Sequence, residues 1–285
     1  MINCFISVLF GIVEGITEWL PVSSTGHMIL LEEFLSMKFA DPAFSEEFYN
    51  LFEVVVQLGA ILAVIVLFFK KLNPLALSKT PAEKKETWNL WFKVVVAVIP
   101  SAVVGIVADD FIDKYIGNYI TVALALVAYG VAFILVEKNR KALPTVVNTN
   151  AISYKTALFI GAFQMLSLIP GTSRSGSTIL GAMLIGVARP AAAEFSFFMA
   201  IPTMLGASLI RGLKFVDYLG EGSVSVPLEA WIALLVGAVA AFVVSLIAIK
   251  FLMDFVRKHS FAPFGVYRIV LGVLVLLYFL IRSLI

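Results

Sequence analysis

Glu14, Glu18, Ser23, Ser24, Thr25, Gly26 and His27 fall within one otherwise apolar stretch, Glu14-Gly-Ile-Thr-Glu-Trp-Leu-Pro-Val-Ser-Ser-Thr-Gly-His27. Ionisable groups at membrane depth are costly and usually mark a site. On a helix running up to Pro21, Glu14 and Glu18 are i, i+4 neighbours on one face. In a dry site such a pair either shares a proton or holds a divalent cation. Ser23 or Ser24 then fits as the N-cap of a following short helix, with His27 in its first turn. That spacing allows a Ser24–His27 hydrogen bond, or leaves His27 itself as a nucleophile.

A second polar stretch, Pro170-Gly-Thr-Ser-Arg174-Ser-Gly-Ser-Thr178, repeats the pattern. Ser173 is its expected cap, and Gly176 permits close backbone approach. Arg174 at the helix start supplies a planar fork suited to phosphate. Two helix N-termini converging on one cavity make an anion site, with Ser23, Thr25, Gly26, Ser173, Arg174, Ser175 and Gly176 as its binding residues. With Ser24, His27, Glu14, Glu18 and Arg174 as the reacting set, the inventory suits hydrolysis of a phosphoester or phosphoanhydride.

The same residues admit plainer roles. Glu14 and Glu18 could form a structural ion pair with Arg174, His27 could be a capping residue, and membrane serines and threonines often serve only as caps or helix-packing groups. Glu53 and Glu194 sit near the starts of apolar spans and read first as interfacial, although Glu53 could reach a cavity mouth.

The elements that must hold these groups are membrane helices. The chain is 61% hydrophobic with a mean hydropathy of +1.00, and only 14% charged, against about 25% in soluble domains. Residues 1–285 read as a single membrane domain. The net charge of +2 carries no nucleic-acid signature, and Cys4 is the only cysteine, so no intramolecular disulfide exists. Six stretches are long enough to span a bilayer: 52–69, 88–108, 118–136, 193–210, 228–249 and 264–281. Regions 3–35 and 156–190 are each broken by one of the polar motifs. Lipid cannot satisfy the backbone groups that such breaks free, so the motifs must be buried in protein or line a wet cavity, and both regions read as re-entrant helical hairpins in preference to pairs of short spans. Gly59 with Ala60, and Gly206 with Ala207, read as close-packing sites.

Lys70, Lys71, Lys79, Lys84 and Lys85, then Lys138, Arg140, Lys141 and Lys155, then Lys250, Arg257, Lys258 and His259 lie in three segments that should face the cytoplasm. Asp41, Glu46 and Glu47, with Asp109, Asp110 and Asp113, fall on the other side. At an offset of 150, Gly11, Ser23, Gly26, Ile29 and Leu30 meet Gly161, Ser173, Gly176, Ile179 and Leu180, and Glu14 meets Gln164. At offsets of 141 and 140, Glu53 meets Glu194 and Trp91 meets Trp231. The duplicated unit, about residues 1–140 and about 150–285, has one hairpin and three spans, so the second copy must be inverted. The expected fold is an all-α polytopic membrane protein with an inverted-topology repeat, about six transmembrane helices and two re-entrant hairpins meeting near mid-membrane.

The first motif followed by Pro-Gly-Thr-Ser-Arg-Ser-Gly at 170–176 resembles the bacterial undecaprenyl-diphosphate phosphatase family, also called bacitracin-resistance proteins, in both halves of the chain. The resemblance implies Glu14, Glu18, Ser24, His27 and Arg174 as the catalytic set. It also implies a polyprenyl diphosphate lipid substrate, dependence on a divalent cation, Mg2+ or Ca2+, and a site open to the extracytoplasmic side of the bacterial inner membrane. The carrier lipid would thereby be recycled for peptidoglycan synthesis. The rival class is an inverted-repeat transporter or flippase for a lipid phosphate or small anion, which needs neither nucleophile nor base. A two-histidine mechanism is disfavoured because the only other histidine is His259, beside a basic cluster. The sequence leaves open whether two copies form a homodimer.

Overall fold

The computed structural model describes residues 1–285 except 112–115, 117, 141–142, 223–224 and 285, so Asp113 and Lys141 lie outside the described residues, as do the side chains of Asp109 and Asp110. The first half holds α1 (Ile2–Thr17), α2 (Ser24–Phe34), α3 (Pro42–Leu67), the single turn α4 (Phe69–Leu72), α5 (Pro81–Phe111) and α6 (Tyr119–Asn139). The second holds α7 (Tyr154–Met165), α8 (Arg174–Leu184), α9 (Arg189–Gly222), α10 (Leu228–Lys258) and α11 (Ala262–Leu284). Six of these, α3, α5, α6, α9, α10 and α11, are long and apolar enough to cross a membrane. Several run past the apolar stretch that marks them in the sequence. α3 starts at Pro42, where Asp41 accepts a hydrogen bond from the Ala43 amide at 2.9 Å and proline occupies the first turn.

Both short pairs are re-entrant. Asn3 at the start of α1 exchanges two hydrogen bonds with the backbone of Lys38, just beyond α2, so both ends of the first hairpin share one face. Arg282 at the end of α11 pairs with Glu33, and the N-terminal amine with Glu229, on that same face. The second hairpin opens to the opposite face. There Val146 pairs with Val187, Lys93 donates to Asn150 O at 3.0 Å, and Arg189 grips Glu137 with two hydrogen bonds. Glu194 also lies on that basic face, bonded to Lys71 and Thr149.

The halves interlock across the inversion. α1 lies along α10, α7 lies along α5, and α6 packs on α11. Equivalent residues make equivalent contacts, with Gly11 against the backbone of Gly237 and Ala241, and Gly161 against the backbone of Ala97. Gly59 meets the Ala238 backbone, whereas Gly206 and Ala207 are exposed and Gly206 has open space where a side chain would go. The expectation of close packing at that second pair is therefore wrong: their helix face is turned outward, not toward a neighbour. In lipid, association rests on such small-residue contacts rather than on exclusion of water. Gly161→Ala is accordingly expected to destabilise the protein by about 1–3 kcal/mol, the usual range for overpacking. A melting midpoint in detergent equal to that of the wild type would refute this.

Candidate active site

Each tip is built by the same local device. α1 ends at Thr17, Pro21 prevents the helix from continuing, and Ser23 turns the chain with a positive φ of 73° so that its Oγ accepts from the Gly26 amide at 3.3 Å. In the second tip Gly171, at φ 92°, is followed by Ser173 at φ 70°, whose Oγ accepts from the Gly176 amide at 3.1 Å. These two serines are the only non-glycine residues with positive φ among the described residues. Their strained backbone, of order 1–3 kcal/mol each, is offset in part by the caps. Ser24 and Arg174 thus become matching first residues of α2 and α8, with the amides of Ser24, Thr25, Arg174 and Ser175 in the first turns.

The two tips meet on Glu18. Its Oε1 accepts from Arg174 Nη2 at 2.9 Å and its Oε2 from Ser24 Oγ at 2.7 Å. Its backbone oxygen accepts from Ser175 Oγ at 3.0 Å. Arg174 is fixed from behind by Ser196 O, 2.7 Å from Nη1. Glu14 and Glu18 are both buried, and Glu14 Oε1 has no hydrogen-bond partner. The charged neighbours of Glu14 are Glu18, Glu53 and Arg174.

The spacing-based option of a Ser24–His27 hydrogen bond is not what forms: the Ser24 hydroxyl is turned back to Glu18. His27 Nδ1 lies 2.7 Å from Ser23 O and Nε2 2.6 Å from Tyr267 OH. A carbonyl oxygen can only accept, so Nδ1 carries the proton and the neutral ring presents its Nε2 lone pair to the tyrosine. The two rings lie nearly parallel, at 2°.

A cavity of about 720 Å³ lies on the side on which the first hairpin opens; it reaches Thr25, next to Ser24, but Glu14, Glu18, Ser24 and Arg174 do not line it. Thr25 and Pro170, one from each motif, line it together with Glu32, Glu46, Tyr49 and Glu53. Glu53 is therefore a cavity residue rather than a merely interfacial one. Gln164, the counterpart of Glu14, bonds Ser101 and Thr203 instead of joining the junction. His259 lies at the end of α10, on the basic face, away from it.

One buried group goes unmarked by either motif. Arg268, fully buried in α11, donates to Pro21 O at 3.1 Å and to Gly171 O and Thr172 O at 2.8 and 2.9 Å. A lone arginine in the apolar run 264–281 was the available signal.

Among the described residues no cluster of three or more His, Cys, Asp or Glu side chains has metal-holding geometry. The unpartnered Glu14 oxygen beside Glu18 nevertheless fits Mg2+, which is commonly held by one or two carboxylates with phosphate and water completing its shell.

Comparison with known proteins adds an independent observation. The family described as "Bacitracin resistance protein BacA" matches residues 7–274. Among curated relatives, the "Undecaprenyl-diphosphatase" of Lactiplantibacillus plantarum is 53% identical, over 98% of this chain and 98% of its own. The protein of the same name from Enterococcus faecalis is 50% identical over 98% of each. "Undecaprenyl-diphosphatase 1" of Clostridioides difficile is 54% identical over 98% of this chain and 97% of its own.

Proposed function

The chain belongs to the bacitracin resistance protein BacA family, and from that membership we infer a multi-pass membrane phosphatase that hydrolyses undecaprenyl diphosphate to the monophosphate and inorganic phosphate. The observation that carries the mechanism is the single carboxylate of Glu18, bonded at once to Ser24 Oγ and Arg174. A hydroxyl that donates to a buried carboxylate is primed as a nucleophile, and a guanidinium on the same carboxylate is near enough to that hydroxyl to bind the oxygens of a phosphate it attacks.

In this mechanism Ser24 Oγ attacks the terminal phosphorus while Glu18 takes its proton. The bond from that phosphorus to the bridging oxygen breaks, and the lipid monophosphate leaves. Glu18 passes that proton to the departing monophosphate and, a carboxylate again, takes one from water; the resulting hydroxide attacks the seryl phosphate, inorganic phosphate leaves, and the proton held on Glu18 returns to Ser24 Oγ. Arg174 and the first-turn amides of α2 and α8 bind the phosphate oxygens, joined by Thr25 on the cavity side. His27, whose Nδ1 donates to Ser23 O, accepts from the Tyr267 hydroxyl through Nε2, so that Tyr267 passes its proton to His27 as it takes one from the phosphate side, and the transfer runs back afterwards. Glu14 and Glu18 are the residues that would hold Mg2+ or Ca2+, which when bound neutralises diphosphate charge. With the basic face in the cytoplasm, the cavity opens outward from the bacterial inner membrane, where the monophosphate re-enters the carrier cycle of peptidoglycan synthesis.

The test is phosphate release by the purified protein from undecaprenyl diphosphate, with and without EDTA. Release that EDTA abolishes and added Mg2+ or Ca2+ restores is the expected result. No release under any of these conditions, with lipid or anion flux in vesicles instead, would replace the hydrolase by a transporter.

A further inference from the structure

We propose that Arg268 is a positioning residue for this hydrolysis: it fastens the two hairpin tips to each other, so that Ser24 and Arg174 converge on one carboxylate. The inference rests on the hydrolase reading and deepens it. Arg268 touches neither Ser24 nor Glu18 by hydrogen bond; its three hydrogen bonds go to backbone carbonyls. Pro21 lies just before the Ser23 cap, and Gly171 and Thr172 lie just before the Ser173 cap. One planar fork therefore spans the two chain reversals that set the directions of α2 and α8.

Three features separate this from ordinary core filling. The first is that no described ion pair contains Arg268, although the residue is fully buried. A charge buried without a counter-ion is costly, and a neutral donor would satisfy a carbonyl more cheaply. What a neutral amide lacks is a fork able to reach both loops at once. The second is the cation's bed: its central carbon lies 5.4 Å from the centre of the Tyr129 ring, and Ser177 of α8 donates to that tyrosine's hydroxyl at 3.2 Å. The third is its nearness to the helix start, since a Cβ added at Gly176 would come 3.0 Å from Arg268 Nη1. Glycine at 176 is thus the space through which the guanidinium reaches Pro21. Lipid offers no substitute for these bonds, because the carbonyls of a broken membrane helix must be satisfied within the protein.

Lysine keeps the charge but places one tetrahedral donor on a shorter stem, so it cannot hold both tips in the same spacing. The experiment compares full-length wild type, Arg268→Lys and Arg268→Ala for phosphate release from undecaprenyl diphosphate and for thermal melting in detergent. Arg268→Lys is expected to melt within a few degrees of the wild type, to keep KM within about threefold and to lose about 100-fold in kcat, as misplacement by an ångström can cause. Methylguanidinium is expected to restore part of the kcat of Arg268→Ala and none of that of Ser24→Ala. A kcat of Arg268→Lys within about threefold of wild type, or no rescue of a folded Arg268→Ala, overturns the proposal. Failure of both variants to fold assigns Arg268 to stability alone and overturns it too. Absence of release by the wild type would instead bring down the hydrolase reading, and the inference with it.

Discussion

Ser24→Ala is expected to lower kcat for undecaprenyl diphosphate by at least about 1,000-fold, the scale on which loss of a nucleophile is felt. The fold should survive the change, for reasons local to the tip. The cap of α2 is made by Ser23 Oγ, not by Ser24, and Glu18 keeps its bond to Arg174. What disappears is the hydroxyl 2.7 Å from Glu18 Oε2. Phosphate release and thermal melting, measured on the same preparation, separate the two effects. If Ser24→Ala retained a tenth or more of wild-type kcat while His27→Ala retained none, attack would have to be reassigned to His27 Nε2. Tyr267 would then have to leave that nitrogen before reaction.

Glu18→Gln should cost nearly as much, about 1,000-fold in kcat, within the range for loss of a general base. Glu18 receives donors on both oxygens, from Arg174 and from Ser24. Glutamine offers one acceptor and one NH2: with its oxygen on Arg174, its NH2 donates to Ser24 Oγ, which reverses that bond and leaves the hydroxyl with no base to take its proton. Breaking a buried ion pair from one side costs about 3–5 kcal/mol, and here Arg174 keeps Ser196 O as a partner, 2.7 Å from Nη1. The pair Ser24→Ala/Glu18→Gln should be little worse than either single change, because base and nucleophile act as one unit. Multiplicative losses would show that Glu18 acts elsewhere than on Ser24.

Much of this site was legible because the chain writes it twice. Glu14, Glu18, Ser24 and Arg174 stand out as polar groups in apolar runs, and the shared offset of Ser23 and Ser173 places the two tips opposite each other. The odd number of spans per unit gives the inversion without any coordinates. Side-chain direction was not legible: three-residue spacing permits Ser24 to reach His27, but Ser24 is the first residue of α2 and its hydroxyl points back across Pro21 to Glu18. Arg268 and Tyr267 escaped notice because they come from the opposite half and no motif surrounds them. Gly206 misled for the converse reason, since a small residue in a span packs a neighbour only if its face is turned inward.

The crossed pairing of the halves also sets the order in which the protein can be completed. α1 leaves the ribosome before any of the second half, yet the helix it lies along is α10. At about 5–20 residues per second, the first hairpin must wait on the order of ten seconds or more for Gly237 and Ala241 to arrive opposite Gly11. For most of that interval its broken tip, with Glu14 and Glu18, lacks Arg174, and throughout it lacks Arg268. A nascent chain of this design therefore carries an unfinished polar loop while the second half is still being made, and that loop must be sheltered until α10 and α11 close over it.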